Sequence, residues 1–174
     1  MGTVKWGILG AAKIAREQVI PAMKKSKNTE LYAIASREIS KAEDFCHKFS
    51  ITKAYDDYNK LISDPNIDAV YIPLPNHLHV PFSINALKAG KHVLCEKPIS
   101  ITSDEIFELI EVQKETKKIV SEAFMVRFHP QWTETKKLIQ DGEIGKLNAI
   151  QGLFNYFNTD PNNIRNDVRI GGGG

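Results

Sequence analysis

Short apolar runs alternate with stretches of helical periodicity along the first 124 residues of this chain. The apolar runs have the length of buried strands, and the periodic stretches can carry the chain back across a sheet. Strands are predicted at residues 4–9, 31–35, 69–74, 93–95 and 119–124, and helices at 14–25, 40–49, 54–63, 80–89 and from 103 onward, with Ser40 and Ser103 as N-caps. One helix between successive strands indicates βαβ units, and hence an α/β fold with a doubly wound, mainly parallel sheet.

The pattern changes near residue 125. The sequence predicts a helix at 131–140, a turn at 141–145 and a long strand at 147–157 with apolar residues on both faces. Such a strand would be an unprotected sheet edge unless further structure covers it. We therefore expect this sequence to be the front portion of a longer protein.

Composition excludes some classes of partner. The 174 residues carry a net charge of +2, and the basic residues are scattered, so nothing points to nucleic acid or to an anionic membrane. Cys46 and Cys95 lie in different elements, which favours free thiols in a reducing compartment over a disulfide framework. No apolar run approaches the length of a membrane span. These features predict a soluble, cytoplasmic protein.

A glycine turn follows the first predicted strand and opens the first helix. Gly10 suits the tight turn, the helix amino terminus can face a pyrophosphate, and Ala15 allows close packing of helix on strand. Ala12 stands where the dinucleotide fingerprint has its middle glycine, which reduces the closeness of approach to the phosphates. We expect the turn residues to contact a dinucleotide, namely Gly10, Ala11, Ala12, Lys13 and Ile14.

The second predicted strand ends in Ala35, Ser36 and Arg37, at the spacing where NAD enzymes place an acidic residue on the ribose hydroxyl. The first acidic residue is Glu38, which comes one position after the end of this segment. A hydroxyl and a guanidinium suit a 2′-phosphate, because arginine binds phosphate oxygens in a bidentate way. The alternative is a surface arginine in a polar loop. The sequence favours NADP(H), and NAD(H) is the alternative cofactor.

Two prolines end the third predicted strand and turn the chain out of the sheet toward a ligand crevice. This segment supplies Pro73, Leu74, Asn76 and His79 as candidate cofactor contacts, with Asn76 also able to cap the following helix. His77 and His79 could suggest a metal. Alternate histidines without a nearby cysteine or acidic ligand are more often capping or packing groups, so no metal is predicted.

Lys97 follows the buried strand at 93–95, between Glu96 and a proline that cannot continue the sheet. Most lysines are solvated, and a surface pair with Glu96 is the alternative. However, parallel strands direct their carboxyl ends toward one crevice, which places Lys97 beside the glycine turn. A partly desolvated ammonium there could shuttle a proton. Glu96 and Lys97 are candidate cofactor contacts, and Lys97 is the candidate catalytic residue.

Two arginines in the later part of the chain are candidate substrate contacts. Arg127 follows the last strand of the repeating part, where it could line the crevice or belong to the start of the next helix. Arg165 lies further on, and a structural role competes with substrate binding. Lys97 is the third candidate substrate contact.

Five segments in order resemble the glucose–fructose oxidoreductase, inositol dehydrogenase and MocA (Gfo/Idh/MocA) family. They are WGILGAAKIA at 6–15, ASR at 35–37, PLPNHLH at 73–79, EKP at 96–98 and MVRFHPQW at 125–132. Any one of them is weak, but the ordered set is specific and spans nearly the whole chain. The last segment and FNYFN at 154–158 are most similar to the branch with xylose and dihydrodiol dehydrogenases.

The resemblance implies two domains: a Rossmann domain for NAD(P) at residues 1–124, and at 125–174 the start of an open-sheet α/β domain that binds substrate. It implies that Lys97 lies near the nicotinamide and the reacting carbon, and that the complete protein forms homo-oligomers through the second sheet. Two departures stand out. Ala12 replaces a glycine, and the Asp-x-Gly-x-His/Tyr segment that supplies a partner to the lysine is absent from the 174 residues.

The predicted activity is therefore hydride transfer between NADP(H) and a CH–OH carbon of a sugar, polyol or dihydrodiol. Two alternatives remain on the same fold: a nucleotide-sensing regulator without catalysis, and an NAD-dependent glycosidase that oxidises its substrate transiently. A regulator has no need of the lysine in the EKP segment, which argues against the first. Fold alone does not choose among them.

Overall fold

The computed structural model describes residues 2–160 and 163–171. Six strands form one sheet in the order β3-β2-β1-β4-β5-β6, and every neighbouring pair is parallel. The strands are β1 (Val4–Leu9), β2 (Thr29–Ala35), β3 (Lys53–Tyr55), β4 (Ala69–Ile72), β5 (His92–Cys95) and β6 (Val120–Glu122). The predicted doubly wound α/β fold is confirmed, since the strand order reverses on either side of β1.

Helices cover both faces of the sheet. They are α1 (Ile20–Lys25), α2 (Ile39–Phe49), α3 (Tyr58–Ile62), α4 (His79–Lys88), α5 (Ser103–Thr116) and α6 (Pro130–Gln140). Short 3₁₀ turns occupy Asn76–Leu78, Met125–Phe128, Ile164–Asn166 and Val168–Ile170. In the part of the chain that is described, no helix is long and apolar enough to cross a membrane.

Alternation along the strands divides the apolar side chains between two cores. On β4, Val70 and Ile72 pack into one core while Tyr71 packs into the other, and all three are fully buried. On β1, Leu9 and Ile8 divide in the same way. The strands of a sheet that is covered on both faces have continuous apolar sequences, which is why they could be predicted.

The first helix begins with a π-helical turn, Ala15–Val19, before it continues as α1. Pro21 accounts for the change, because proline has no N–H to donate to the carbonyl four residues earlier. The Ile20 N–H donates instead to the Ala15 carbonyl, five residues back. The helix predicted at 14–25 is therefore present, but its first part is wound more widely.

The helix predicted at residues 54–63 is partly wrong. Ala54 and Tyr55 belong to β3, where they pair with Ile34 and Ala35 of β2. Helix α3 starts only after Asp57, whose side chain accepts hydrogen bonds from two backbone N–H groups of the first turn. Pairing with an already buried strand outweighs the local helical pattern, which is a tertiary effect.

Two predicted N-caps are displaced. The N-cap of α2 is Glu38 rather than Ser40, and its side chain makes no capping hydrogen bond. The N-cap of α5 is Thr102 rather than Ser103, and it forms a capping box with Glu105. Thr102 is preferred because Glu105 then falls at the third helical position, where its carboxylate can bond back to the cap.

The long strand predicted at 147–157 is wrong, since no strand forms there. Its apolar side chains lie open to solvent: Ile150 is 82% exposed, Leu153 88% and Phe157 91%. A strand needs a neighbour to satisfy its backbone groups, and β6 is the last strand of the sheet within residues 2–160 and 163–171. The glycines at 172–174 lie outside the described residues.

We expect Asp57→Ala to lower the free energy of unfolding by about 1 kcal/mol, because it removes the N-cap of α3. Asp57 Oδ1 accepts from the Asn59 N–H at 2.7 Å and from the Lys60 N–H at 3.0 Å. Asp56→Ala is the control, since Asp56 makes only an exposed pair with Lys60 and should matter little. Urea denaturation measures both, and equal losses would contradict the assigned cap.

Candidate cofactor and active site

The carboxyl ends of the strands converge on one edge of the sheet, where the chain continues to make ladder-like hydrogen bonds. The Gly10 N–H donates to the Ala35 carbonyl at 2.9 Å, and the Ser36 N–H donates to the Tyr55 carbonyl at 3.0 Å. The Glu96 N–H donates to the Ile72 carbonyl at 3.0 Å. The backbone at the start of these loops is therefore fixed by the sheet itself.

A cleft of about 1110 Å³ opens at this edge, beside the switch point between β1 and β4. Its volume slightly exceeds the usual range for ligand sites, about 300–1,000 Å³, so it has room for an extended molecule. Of the residues predicted from sequence, those that line it are Ala12, Lys13, Ile14, Pro73, Leu74, Asn76, His79, Glu96, Lys97 and Arg165.

Gly10 forms the tight turn after β1 with a φ of +116°, a conformation that side-chain-bearing residues rarely adopt. A Cβ atom here would lie 3.0 Å from Leu74 Cδ2, so the turn also needs glycine for space. Gly10 and Ala11 are not among the residues that line the cleft. Ala15 is fully buried against the sheet, as its predicted packing role requires.

The loop after β2 lies outside the cleft lining, so the structure does not bring Ser36 and Arg37 together with the other predicted cofactor contacts. Ser36 is buried, and its Oγ accepts a hydrogen bond from the Glu38 N–H at 3.3 Å. Glu38 in turn pairs with Lys41 at 2.7 Å. Arg37 is exposed and forms no ion pair among the described residues.

His79 joins two loops of the cleft. Its Nδ1 lies 2.7 Å from the Pro98 carbonyl oxygen and its Nε2 lies 2.7 Å from the Leu74 carbonyl oxygen, with the ring fully buried. Because both ring nitrogens face backbone carbonyl oxygens, the ring has a structural role that links the two loops. Asn76 donates to the Gly171 carbonyl at 2.8 Å and so ties the later segment to the cleft.

Lys97 projects from the loop after β5 and is exposed at the cleft. Its ammonium makes no ion pair with Glu96 or with any other described residue, contrary to the surface-pair alternative. The Glu96 carboxylate is engaged elsewhere, since its Oε1 accepts from the buried Tyr71 hydroxyl at 2.7 Å. Lys97 is therefore available to a ligand.

Only one of the two arginines predicted to contact substrate lies at the cleft. Arg165 lines the cleft, whereas Arg127 lies in the 3₁₀ turn Met125–Phe128, exposed and outside the cleft lining. Aromatic residues of the later segment also reach the cleft, among them Tyr156 and Phe157.

Sequence reasoning missed two supports of the Lys97 loop. Tyr71 holds Glu96, and the Glu122 Oε1 accepts from the Ile99 N–H at 3.0 Å. One signal for Tyr71 exists in the sequence: a hydroxyl in an otherwise aliphatic buried strand must find a partner. Nothing local identifies that partner, which lies 25 residues along the chain.

The strand order, the glycine turn and the cleft at the switch point define a dinucleotide-binding α/β protein. A sequence profile described as "Oxidoreductase family, NAD-binding Rossmann fold" (Gfo/Idh/MocA) matches residues 4–124. The chain belongs to the Gfo/Idh/MocA family of oxidoreductases, as its motifs predicted.

Similar proteins carry dehydrogenase and reductase names. "Uncharacterized oxidoreductase ORF334" of Rhizobium meliloti is 48% identical over 99% of this chain and 52% of its own length. "D-xylose 1-dehydrogenase (NADP(+)) 2" of Haloferax volcanii is 38% identical over 97% of this chain and 51% of its own. The chain thus spans about half the length of the curated relatives it matches.

A solved structure shares the fold closely. KijD10, a 3-ketoreductase from Actinomadura kijaniata crystallised as a Y186F mutant with TDP-benzene and NADP, superposes with a TM-score of 0.78. It is 35% identical, and the match covers 83% of this chain and 44% of that one.

We expect Gly10→Ala to weaken NADPH binding at least about tenfold, because the new methyl strains the turn and displaces Leu74 from the cleft. Gly142→Ala is a matched control, since Gly142 also has a positive φ, +79°, but has open space around it and does not line the cleft. Fluorescence titration of NADPH compares the two. Equal affinity losses would show that backbone strain alone, not the turn, governs binding.

Proposed function

We propose that this chain is the cofactor-binding part of an NADP(H)-dependent oxidoreductase acting on a CH–OH carbon of a sugar, polyol or dihydrodiol. The observation that carries the proposal is the Lys97 ammonium, free of ion pairs within the described residues, in the same cleft as the turn after β1. The names of the similar proteins support it, since one is a xylose dehydrogenase for NADP and another a ketoreductase crystallised with NADP.

The cleft fits a dinucleotide. Gly10 leaves room that a Cβ atom would fill, and the first N–H groups of the following helix have no intrahelical acceptor, which suits a pyrophosphate. Ala12, Lys13 and Ile14 would hold it there, and Pro73 and Leu74 would flank it on the other side. When bound, the nicotinamide accepts or returns the hydride.

Lys97 has the role of moving a proton at the substrate oxygen. When an alcohol is oxidised, its carbon loses a hydride and its oxygen loses a proton. A neutral Lys97 amine can accept that proton, and the ammonium can return it in the reverse reaction. Arg165 lies on the same cleft, which supports its role as a substrate contact.

The loop after β2 supports NADP(H) over NAD(H). Arg37 forms no ion pair among the described residues, and its acidic neighbour in sequence, Glu38, is already paired with Lys41. A 2′-phosphate would thus meet a net positive loop that begins with the Ser36 hydroxyl. Bidentate contact by Arg37 is the interaction that separates the two cofactors.

Further proposals concern the whole protein. The division at residue 124 is supported by the family match, which ends there. That residues 125–174 begin a substrate domain, that Arg127 contacts substrate, that the protein forms homo-oligomers through the second sheet, and that it is cytoplasmic all stay predictions from the sequence.

We expect Lys97→Met to lower kcat by about 10²–10⁴-fold in a protein of the relatives' full length, because it removes the group that moves the proton. NADPH affinity should change little. Lys88→Met, at the exposed end of α4, is the control and should leave kcat unchanged. Sugars and polyols are screened by NADPH absorbance; turnover that survives Lys97→Met would refute the assignment, and glycoside cleavage without net NADPH would favour the glycosidase.

We expect Arg37→Ala to weaken NADP⁺ binding about tenfold, the value of a lost charge-assisted contact, while NAD⁺ affinity changes less than about twofold. NAD⁺ is the internal control because it differs only by the 2′-phosphate. Isothermal titration of both cofactors gives the ratio. Equal losses would exclude the phosphate contact.

A further inference from the structure

The carboxylate of Glu96 lies immediately before Lys97 and yet does not pair with its ammonium. Both of its oxygens are engaged instead. Oε1 accepts from the Tyr71 hydroxyl at 2.7 Å, and Oε2 lies 3.3 Å from the Lys97 backbone N–H. The second contact is long, so the tyrosine is the stronger anchor.

Tyr71 reaches Glu96 because of the strand register. Tyr71 on β4 pairs with Leu94 on β5, and the alternation of side chains brings Glu96 onto the same face of the sheet two residues later. Tyr71 is fully buried, so its hydroxyl is held away from bulk solvent. Glu96 is half-buried at the strand end.

The hydroxyl stays a donor. Burial, and then the bond to Glu96, raise the pKa of Tyr71 well above its usual range. Burial likewise raises the pKa of the neighbouring Cys95 thiol to about 12, so the strand end presents no other charge of its own to Lys97. Titratable groups around the loop from other elements are His79 on α4 and Glu122 on β6, with Lys13, Glu17 and Arg165 on the cleft.

We propose that Tyr71 is a positioning residue whose hydroxyl holds the Glu96 carboxylate and thereby prevents it from pairing with Lys97. This inference rests on the proposed function only for its consequence in catalysis, namely an ammonium free to meet substrate. The proposal itself concerns the charge environment of Lys97.

The experiment follows the titration of Lys97 directly by the NMR signal of its Cε–Hε group, assigned by its loss in Lys97→Met. In Tyr71→Phe the carboxylate is released and can pair with the ammonium, so the Lys97 titration midpoint should rise by about half a unit, the size of an exposed ion pair. Tyr71→Phe/Glu96→Gln lacks the released charge and should return the midpoint to that of Glu96→Gln alone, at or slightly below the wild-type value.

Tyr55→Phe is the matched control. It removes another tyrosine hydroxyl from a carboxylate, since Tyr55 Oη donates to Asp64 Oδ2 at 2.5 Å, in a part of the fold outside the cleft lining. It should leave the Lys97 midpoint unchanged. An unchanged midpoint in Tyr71→Phe, or a rise that Glu96→Gln does not reverse, would overturn the proposal.

Glu96→Gln alone decides the matter should Tyr71→Phe fail to fold. If Tyr71 already holds the carboxylate, neutralising Glu96 lowers the Lys97 midpoint by less than half a unit, and a larger drop would overturn the proposal. Because titration needs no turnover, this outcome is separate from the proposed function. That function is refuted by activity in Lys97→Met, whatever Tyr71 does.

Discussion

The parallel pairing of β1 with both β2 and β4 is the constraint on which the site depends. Because β1 is flanked on both sides, its carboxyl end lies at the point where the strand order reverses, which is where open parallel sheets form a ligand crevice. Gly10 must turn there without a side chain, since a Cβ would meet Leu74 of the neighbouring loop. The cleft is therefore a product of the topology, and the loops only shape it.

The loop that carries Lys97 is fixed by side chains from three neighbouring elements. Tyr71 of β4 holds the Glu96 carboxylate, His79 of α4 lies against the Pro98 carbonyl, and Glu122 of β6 accepts from the Ile99 N–H. A flexible side chain on a fixed backbone can meet a substrate at a defined place, which is the requirement for proton transfer. His79 extends the same support to the Leu74 loop.

The sequence predicted what depends on buried apolar runs and local turn chemistry, and missed what depends on distant partners. The five strands β1, β2, β4, β5 and β6 and the Gly10 turn follow from such local signals. Strand β3 has three residues and begins with the exposed Lys53, so only its pairing with β2 identifies it. The segment at 147–157 is the converse case. Its pattern is typical of a strand, but no neighbour in the described part of the chain pairs with it. The contact between Tyr71 and Glu96 could not be predicted from the sequence, because it depends on how β4 is aligned with β5 in the sheet.

The charges at the carboxyl edge of the sheet share one arrangement. Its carboxylates are engaged: Glu96 by a tyrosine hydroxyl, Glu122 by a backbone N–H and Glu38 by Lys41. Two cations, Lys97 and Arg37, have no ion pair among the described residues. A carboxylate held by such a partner keeps its charge but does not pair with Lys97 or Arg37. Engaging the acids locally therefore leaves both cations available to an anionic ligand, although the whole chain carries a charge of only +2. The proposed preference for NADP(H) therefore rests as much on where the acids are held as on which bases are present.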